Sequence, residues 1–174
     1  MNNSTIFSFT LFGQPITKKN SAILIKGQAK LLPSPQYRKY AVECKKALAV
    51  LKQQNQLPHF EMPVKMTCRY YLQNKKSYPD LIGLAQATAD IISDEYKTIN
   101  HKKKLIMEWI LSDDRIIKSW DGTQIAGIDK QNPRAEIIIT PLDVNLNTET
   151  DPYIIKKIKE RQCKNLCKQE PLKL

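Results

Sequence analysis

Between Pro79 and Asp121 the chain carries Asp80, Asp90, Asp113, Asp114 and Asp121, although its formal net charge is +11. A surface built only to hold a polyanion would gain affinity by losing these carboxylates. Acids kept together inside a cationic protein suit a bound metal, because a cation relieves the repulsion between neighbouring carboxylates. Each acid also has an ordinary use: Asp80 as a helix cap, and Asp113-Asp114 as turn residues.

The elements around the acids decide where they sit. Pro79 disfavours a helical Tyr78, so the approach to Asp80 should be extended. Leu81, Leu84, Ala85, Thr88, Ile91 and Ile92 then repeat at helical spacing. Asp80 thus falls at a strand-to-helix junction, near the positive end of a helix dipole. Gln86 and Asp90, four apart, share one helical face, and Gly83 opens the same face to a close neighbour. Upstream, Val64, Met66, Cys68, Tyr70 and Leu72 alternate with Lys65, Thr67 and Arg69, giving a strand over 62–73 that delivers the chain to the acids. Lys75 and Lys76 lie between that strand and Asp80, placed to contact a phosphate. After Asp113-Asp114, Ile116 to Trp120 reads as the next strand.

The rest of the chain supplies a frame and more cations. Phe7, Phe9 and Leu11 alternate with Ser8 and Thr10 as a first strand over 5–12. The loop after it holds Lys18, Lys19 and Asn20 among small hydrogen-bonding residues, suited to gripping a phosphate or simply solvated. Ala22 to Leu32 reads as a hairpin turning at Gly27. Ser34-Pro35 opens a helix over 35–53 with Tyr37, Tyr40, Ala41, Cys44, Leu48 and Leu51 on its core line. A basic run, His101 to Lys104, follows the second helix (80–93), and Gly122 and Gly127 punctuate a loop before a last strand over 134–140. Asp151-Pro152 starts a short helix with Ile154, Ile155 and Ile158 among lysines, apolar residues that need a partner surface on this body or a second subunit.

At 174 residues with 28 Lys plus Arg and a pI near 9.5, the chain points to one domain, residues 1–141, with a basic extension, 142–174, and to a polyanionic partner. No apolar run approaches the ~20 residues that span a bilayer, and the first residues do not resemble a signal peptide. Cys44, Cys68, Cys163 and Cys167 form no Cys-x-x-Cys pair and read as free thiols of a reducing cytoplasm. The fold class is α/β, a small mixed sheet with two packed helices and a C-terminal helical extension.

The window from Pro79 to Asp114 resembles the RusA family of Holliday junction resolvases, whose signature is a Pro/Arg-Asp-Leu-Asp-Asn run entering a helix, a Lys one turn later, an Asp further along, and an Asp-Asp pair opening the next strand. Asp80, Asp90 and Asp113-Asp114 match. Ile82, Gly83 and Gln86 stand where the second acid, the Asn and the Lys belong, and about a dozen extra residues, Asp94 to Ile106, separate the two acid groups. The resemblance covers roughly residues 5–141, including the basic loop after the first strand.

It implies a cytoplasmic, bacterial or phage-derived homodimer that cuts four-way DNA junctions in recombination and repair, using Mg²⁺ or Mn²⁺. Asp80 and Asp114 would hold the metal, Asp113 would orient water or a ligand, and Asp90 would brace the site or move inward. Lys18, Lys19, Asn20, Lys75, Lys76 and Arg115 are the candidate DNA contacts. Asp90, Asp121 or Glu136 could replace the acid absent at Ile82, and Lys118 or Arg115 the cation absent at Gln86. The competing expectation is a weakened or inactive DNA-binding protein of the same fold.

Overall fold

The computed structural model describes residues 5–18, 23–24, 31–76, 78–145 and 147–167. In chain order the elements are β1 (Phe7–Phe12), β2 (Ile23–Leu24), β3 (Leu31–Leu32), α1 (Pro35–Gln53), β4 (Val64–Leu72), α2 (Leu81–Ile92), β5 (Glu95–Ile99), β6 (Lys102–Met107), β7 (Ile117–Ser119), β8 (Gln124–Ile128), β9 (Arg134–Pro141) and α3 (Pro152–Cys167). A single 3₁₀ turn, Asp114–Ile116, precedes β7.

The alternation in Val64–Leu72 makes β4 the centre of the main sheet. Val64, Met66, Cys68, Tyr70 and Leu72 are fully buried on one face. The sheet runs β1-β9-β4, antiparallel throughout, and β4 takes two short parallel strands in succession along its other edge: β7 beside Val64 and Lys65, β8 beside Arg69 to Leu72. Register puts Leu11 opposite Ala135 and Cys68 opposite Ile137, so one apolar face is continuous across three strands. The helices cover that face.

Ser34 caps α1, its hydroxyl accepting the Tyr37 N–H at 3.1 Å, with Pro35 in the first turn where its missing N–H costs nothing. Tyr37, Tyr40, Cys44 and Leu48 point inward from it. α2 is held to β4 by a buried relay: Thr88 Oγ1 donates to Leu84 O, so the Tyr70 hydroxyl 2.9 Å away donates to Thr88. That bond satisfies a phenol which burial would otherwise strand. Cys44 and Cys68 are buried free thiols, pushed up by desolvation to about 11 and about 12, out of the reactive range.

The α/β class, both helices and the four sheet strands expected near 5–12, 62–73, 116–120 and 134–140 appear, the third trimmed to Ile117–Ser119 because Ile116 belongs to the 3₁₀ turn. Three things differ. The stretch before Arg134 that Gly122 and Gly127 punctuate, expected as a loop, contains β8, because parallel pairing with β4 supplies its hydrogen bonds. The connection after α2 is a separate antiparallel ribbon, β5–β6. The tail helix is long, and Ile154 and Ile158 join the same core as the sheet. Ile23↔Leu32 and Leu24↔Leu31 pair as β2–β3; the expected turn at Gly27 lies outside the described residues. No described helix is long and apolar enough to cross a membrane.

Candidate active site

Asp80 is the N-cap of α2 and accepts the Gly83 N–H. Gly83 is what lets the carboxylate lie so close: a Cβ there would come within 2.7 and 2.8 Å of the two Asp80 oxygens. Gly→Ala inside a helix ordinarily gains up to ~1 kcal/mol, but here the methyl must displace a cap worth about the same. Gly83→Ala should therefore leave the melting temperature nearly unchanged, whereas the same change added to Asp80→Ala should stabilise by about 1 kcal/mol. Equal effects of Gly83→Ala in both backgrounds would refute the steric linkage. Ile82, 72% exposed, and Gln86 project outward from the same helix.

The other end of α2 is tied to the second acid group. Ile110 and Leu111 both donate their N–H to Ile92 O at 3.0 Å, which brings Ser112, Asp113 and Asp114 to the C-terminal turn of the helix. Asp113 caps the 3₁₀ turn: its Oδ1 accepts the Arg115 N–H at 3.1 Å and Nε at 2.9 Å, and its Oδ2 accepts Nη2 at 3.2 Å. Partial burial would raise the Asp113 carboxyl, but this Arg115 fork and backbone N–H outweigh it and hold the pKa below the usual value. Asp114 goes the other way. Partial desolvation, then the carboxylate of Asp113 beside it, then the charge of Asp90 all raise it. The structure thus brings Asp90, Asp113 and Asp114 together from two elements, with Asp113 the ionised partner and Asp114 the one that keeps a proton more readily.

Asp90 is paired with Lys18 from the loop after β1, Nζ to Oδ2 2.7 Å. The two positions are 72 residues apart in the chain, and a pairing of this kind is invisible to local spacing. Tyr37 of α1 also feels Asp90, which adds to the effect of burial in raising its phenol. Asp80 lies ten residues upstream of Asp90, about 15 Å along the helix axis at 1.5 Å per residue.

The flanking residues are also accounted for. Arg115 stacks on Tyr153 of α3, 4.3 Å from guanidinium carbon to ring centre, and Lys118 pairs with Asp151 at 2.6 Å. Glu136 is engaged by Arg134, which also binds Asp129. Asp121 is exposed, its backbone O accepting the Thr67 hydroxyl. Lys75 and Lys76 are exposed on the loop between β4 and Asp80. Lys19 and Asn20 lie outside the described residues. Sequence reasoning missed Tyr153 and Lys18's bond to Asp90. Tyr153 follows the Asp151-Pro152 helix start directly, and that was the one local signal available for it.

Among the described residues no group of three or more His, Cys, Asp or Glu side chains is placed to hold a metal ion. The donor chemistry that is present, Asp114 beside Asp90, fits a hard divalent cation that needs only one or two protein carboxylates and fills its remaining positions with water and phosphate oxygens. Fold and site together define an α/β protein with a carboxylate group in which Asp90 is paired with Lys18 and Asp113 with Arg115. The chain matches no protein-family model and no curated protein.

Proposed function

We propose that this protein is a metal-dependent endonuclease acting on branched DNA, centred on Asp114. The observation that carries the reading is the convergence of Asp90 on α2 with Asp113 and Asp114 on the following turn, beside Lys18, in a chain of net charge +11. Asp90 and Asp114 are the carboxylates that would hold Mg²⁺ or Mn²⁺. When bound, such a cation polarises a phosphoryl oxygen and lowers the pKa of a bound water.

The chain's own residues supply the rest. Lys18 can exchange Asp90 for a phosphate oxygen, which frees the carboxylate as DNA arrives. Asp113, fixed by the Arg115 fork, keeps its charge and biases the neighbouring Asp114. Asp80, the other metal-binding acid that the RusA resemblance implies, is ten residues up the helix and committed to its cap. Asp90 is accordingly proposed as Asp114's companion. A four-way junction offers two equivalent strands, which a two-fold symmetric homodimer would match with one site each.

A second reading is a DNA-binding protein of this fold that does not cut. The engagement of Asp80 by Gly83, Asp90 by Lys18 and Asp113 by Arg115 favours it. Labelled four-way junction, flap, duplex and single-stranded DNA incubated with and without Mg²⁺ or Mn²⁺ separate the two. Cuts in the junction only with metal are expected. Binding to every substrate with cuts in none would leave the second reading standing.

A further inference from the structure

The β5–β6 ribbon stands off the body with every residue of β6 exposed. Its strands run about 17 Å from base to tip at ~3.3 Å per residue. They turn through Asn100 and His101, both at positive φ, 49° and 60°, the pattern of a tight two-residue hairpin.

Charge is sorted along its length. The acids sit at the base and are consumed in anchoring it. Asp94 accepts the Trp109 N–H at 2.7 Å and meets His59 Nε2 at 3.2 Å, while Glu95 binds Lys45 and accepts Trp109 Nε1. Lys52 of α1 donates to Glu108 O and lies over the Trp109 ring. Towards the tip come Lys97, Lys102, Lys103 and Lys104, all exposed, and among the described residues none of their ammonium groups has an ion-pair or hydrogen-bond partner. Lys97 and Lys104 face each other directly across the ribbon, an arrangement of like charges that destabilises a hairpin unless a counter-charge is supplied.

We infer that this ribbon is an arm that grips duplex DNA beyond the acidic site. A two-stranded ribbon fits the major groove, about 12 Å wide, and its lysines would meet phosphates on the groove walls. Ile99, 43% exposed and on the same face as Lys97 and Lys104, offers apolar contact to thymine methyl groups. A second copy of this chain is the poorer occupant, because an isologous contact would set these cations against their own duplicates on another chain of net charge +11. The inference rests on the DNA-binding half of the function proposed above and not on cleavage.

The test is the full chain with Lys97, Lys102, Lys103 and Lys104 all changed to Gln, set beside the same four changed to Arg. Binding to fluorescent duplex and junction is followed in EDTA over a range of KCl. The Gln variant should lose affinity at least roughly tenfold, and its slope of log affinity against log salt should fall by up to about 3.6 units, at ~0.9 per phosphate contact. The Arg variant should keep both. A Gln variant with the original slope and affinity would overturn the inference, as would one that sediments as a smaller species, since the ribbon would then be an interface between copies. Because the readout is binding to uncut DNA without divalent metal, a protein that grips DNA but never cleaves it still passes.

Discussion

Asp114→Asn should remove metal-dependent cutting of a four-way junction by a factor of roughly 10³ or more, about 4 kcal/mol of transition-state stabilisation, and yet make the protein more stable. The amide, uncharged at every pH, can neither accept a proton nor hold a cation as a carboxylate does, and the site loses its central donor. The stability gain follows from the raised Asp114 carboxyl. A group whose folded pKa lies above its unfolded value contributes stability that is complete below the unfolded value and lost as pH rises through the folded one. At neutral pH the ionised Asp114 is therefore a liability that Asn removes. Because Asp114 is exposed, screening limits the gain to about 0.5 kcal/mol, or about 2 °C for a chain of this length, and it should vanish below the ordinary carboxylate range. DNA binding should hold or strengthen, since a negative charge facing phosphate is gone.

The companion variants decide the geometry. Asp90→Asn should cost nearly as much activity as Asp114→Asn. Asp80→Asn should cost less than tenfold, because Asn caps a helix about as well as Asp. Cleavage lost with Asp80→Asn and kept with Asp90→Asn would instead restore the pairing that the family resemblance implies. No metal-dependent cutting of branched, flapped or single-stranded DNA by the unmodified protein would end the enzyme reading.

The parts of this fold that were legible are those whose physics is local. Alternation in Val64–Leu72 announces a strand buried on one face, Ser34-Pro35 a helix start, and Pro79-Asp80 a capped junction, because each needs only its near neighbours in sequence. β8 looks like a loop in the sequence, since its five residues include Gly127 and its partner is β4, more than fifty residues away. From the sequence the ribbon shows only as an extra connection with a basic run. Its turn uses Asn100-His101 where Asn-Gly is the usual signal, and neither strand has a buried face to impose alternation. For the site, the acid types and the Asp113-Asp114 pair were readable. Which acids meet was not, because Lys18 reaches Asp90 only through the packing of β1 and α1 against α2.

The tail shows the same limit and gives the largest expected loss of stability. Ile154, Ile155 and Ile158 sit at helical spacing, which says that the helix is amphipathic but not what it covers. In the structure Ile154 is fully buried and Ile158 nearly so, both in the core shared with the sheet, while Ile155 is only partly covered. Ile154→Ala should then cost about 3 kcal/mol through lost burial and the cavity left behind, lowering the melting temperature by about 9 °C in a chain of this size. Ile155→Ala should cost under half as much. The effect should reach the acidic site, because α3 carries Tyr153 beneath Arg115 and follows Asp151, which holds Lys118. Loosening the helix releases the fork that fixes Asp113, so cleavage at temperatures well below melting should fall in Ile154→Ala more than in Ile155→Ala. Calorimetry and cleavage rates on the two variants provide the check. Equal, small shifts for both would mean that the helix is not seated in this core, and that its apolar line belongs to another surface.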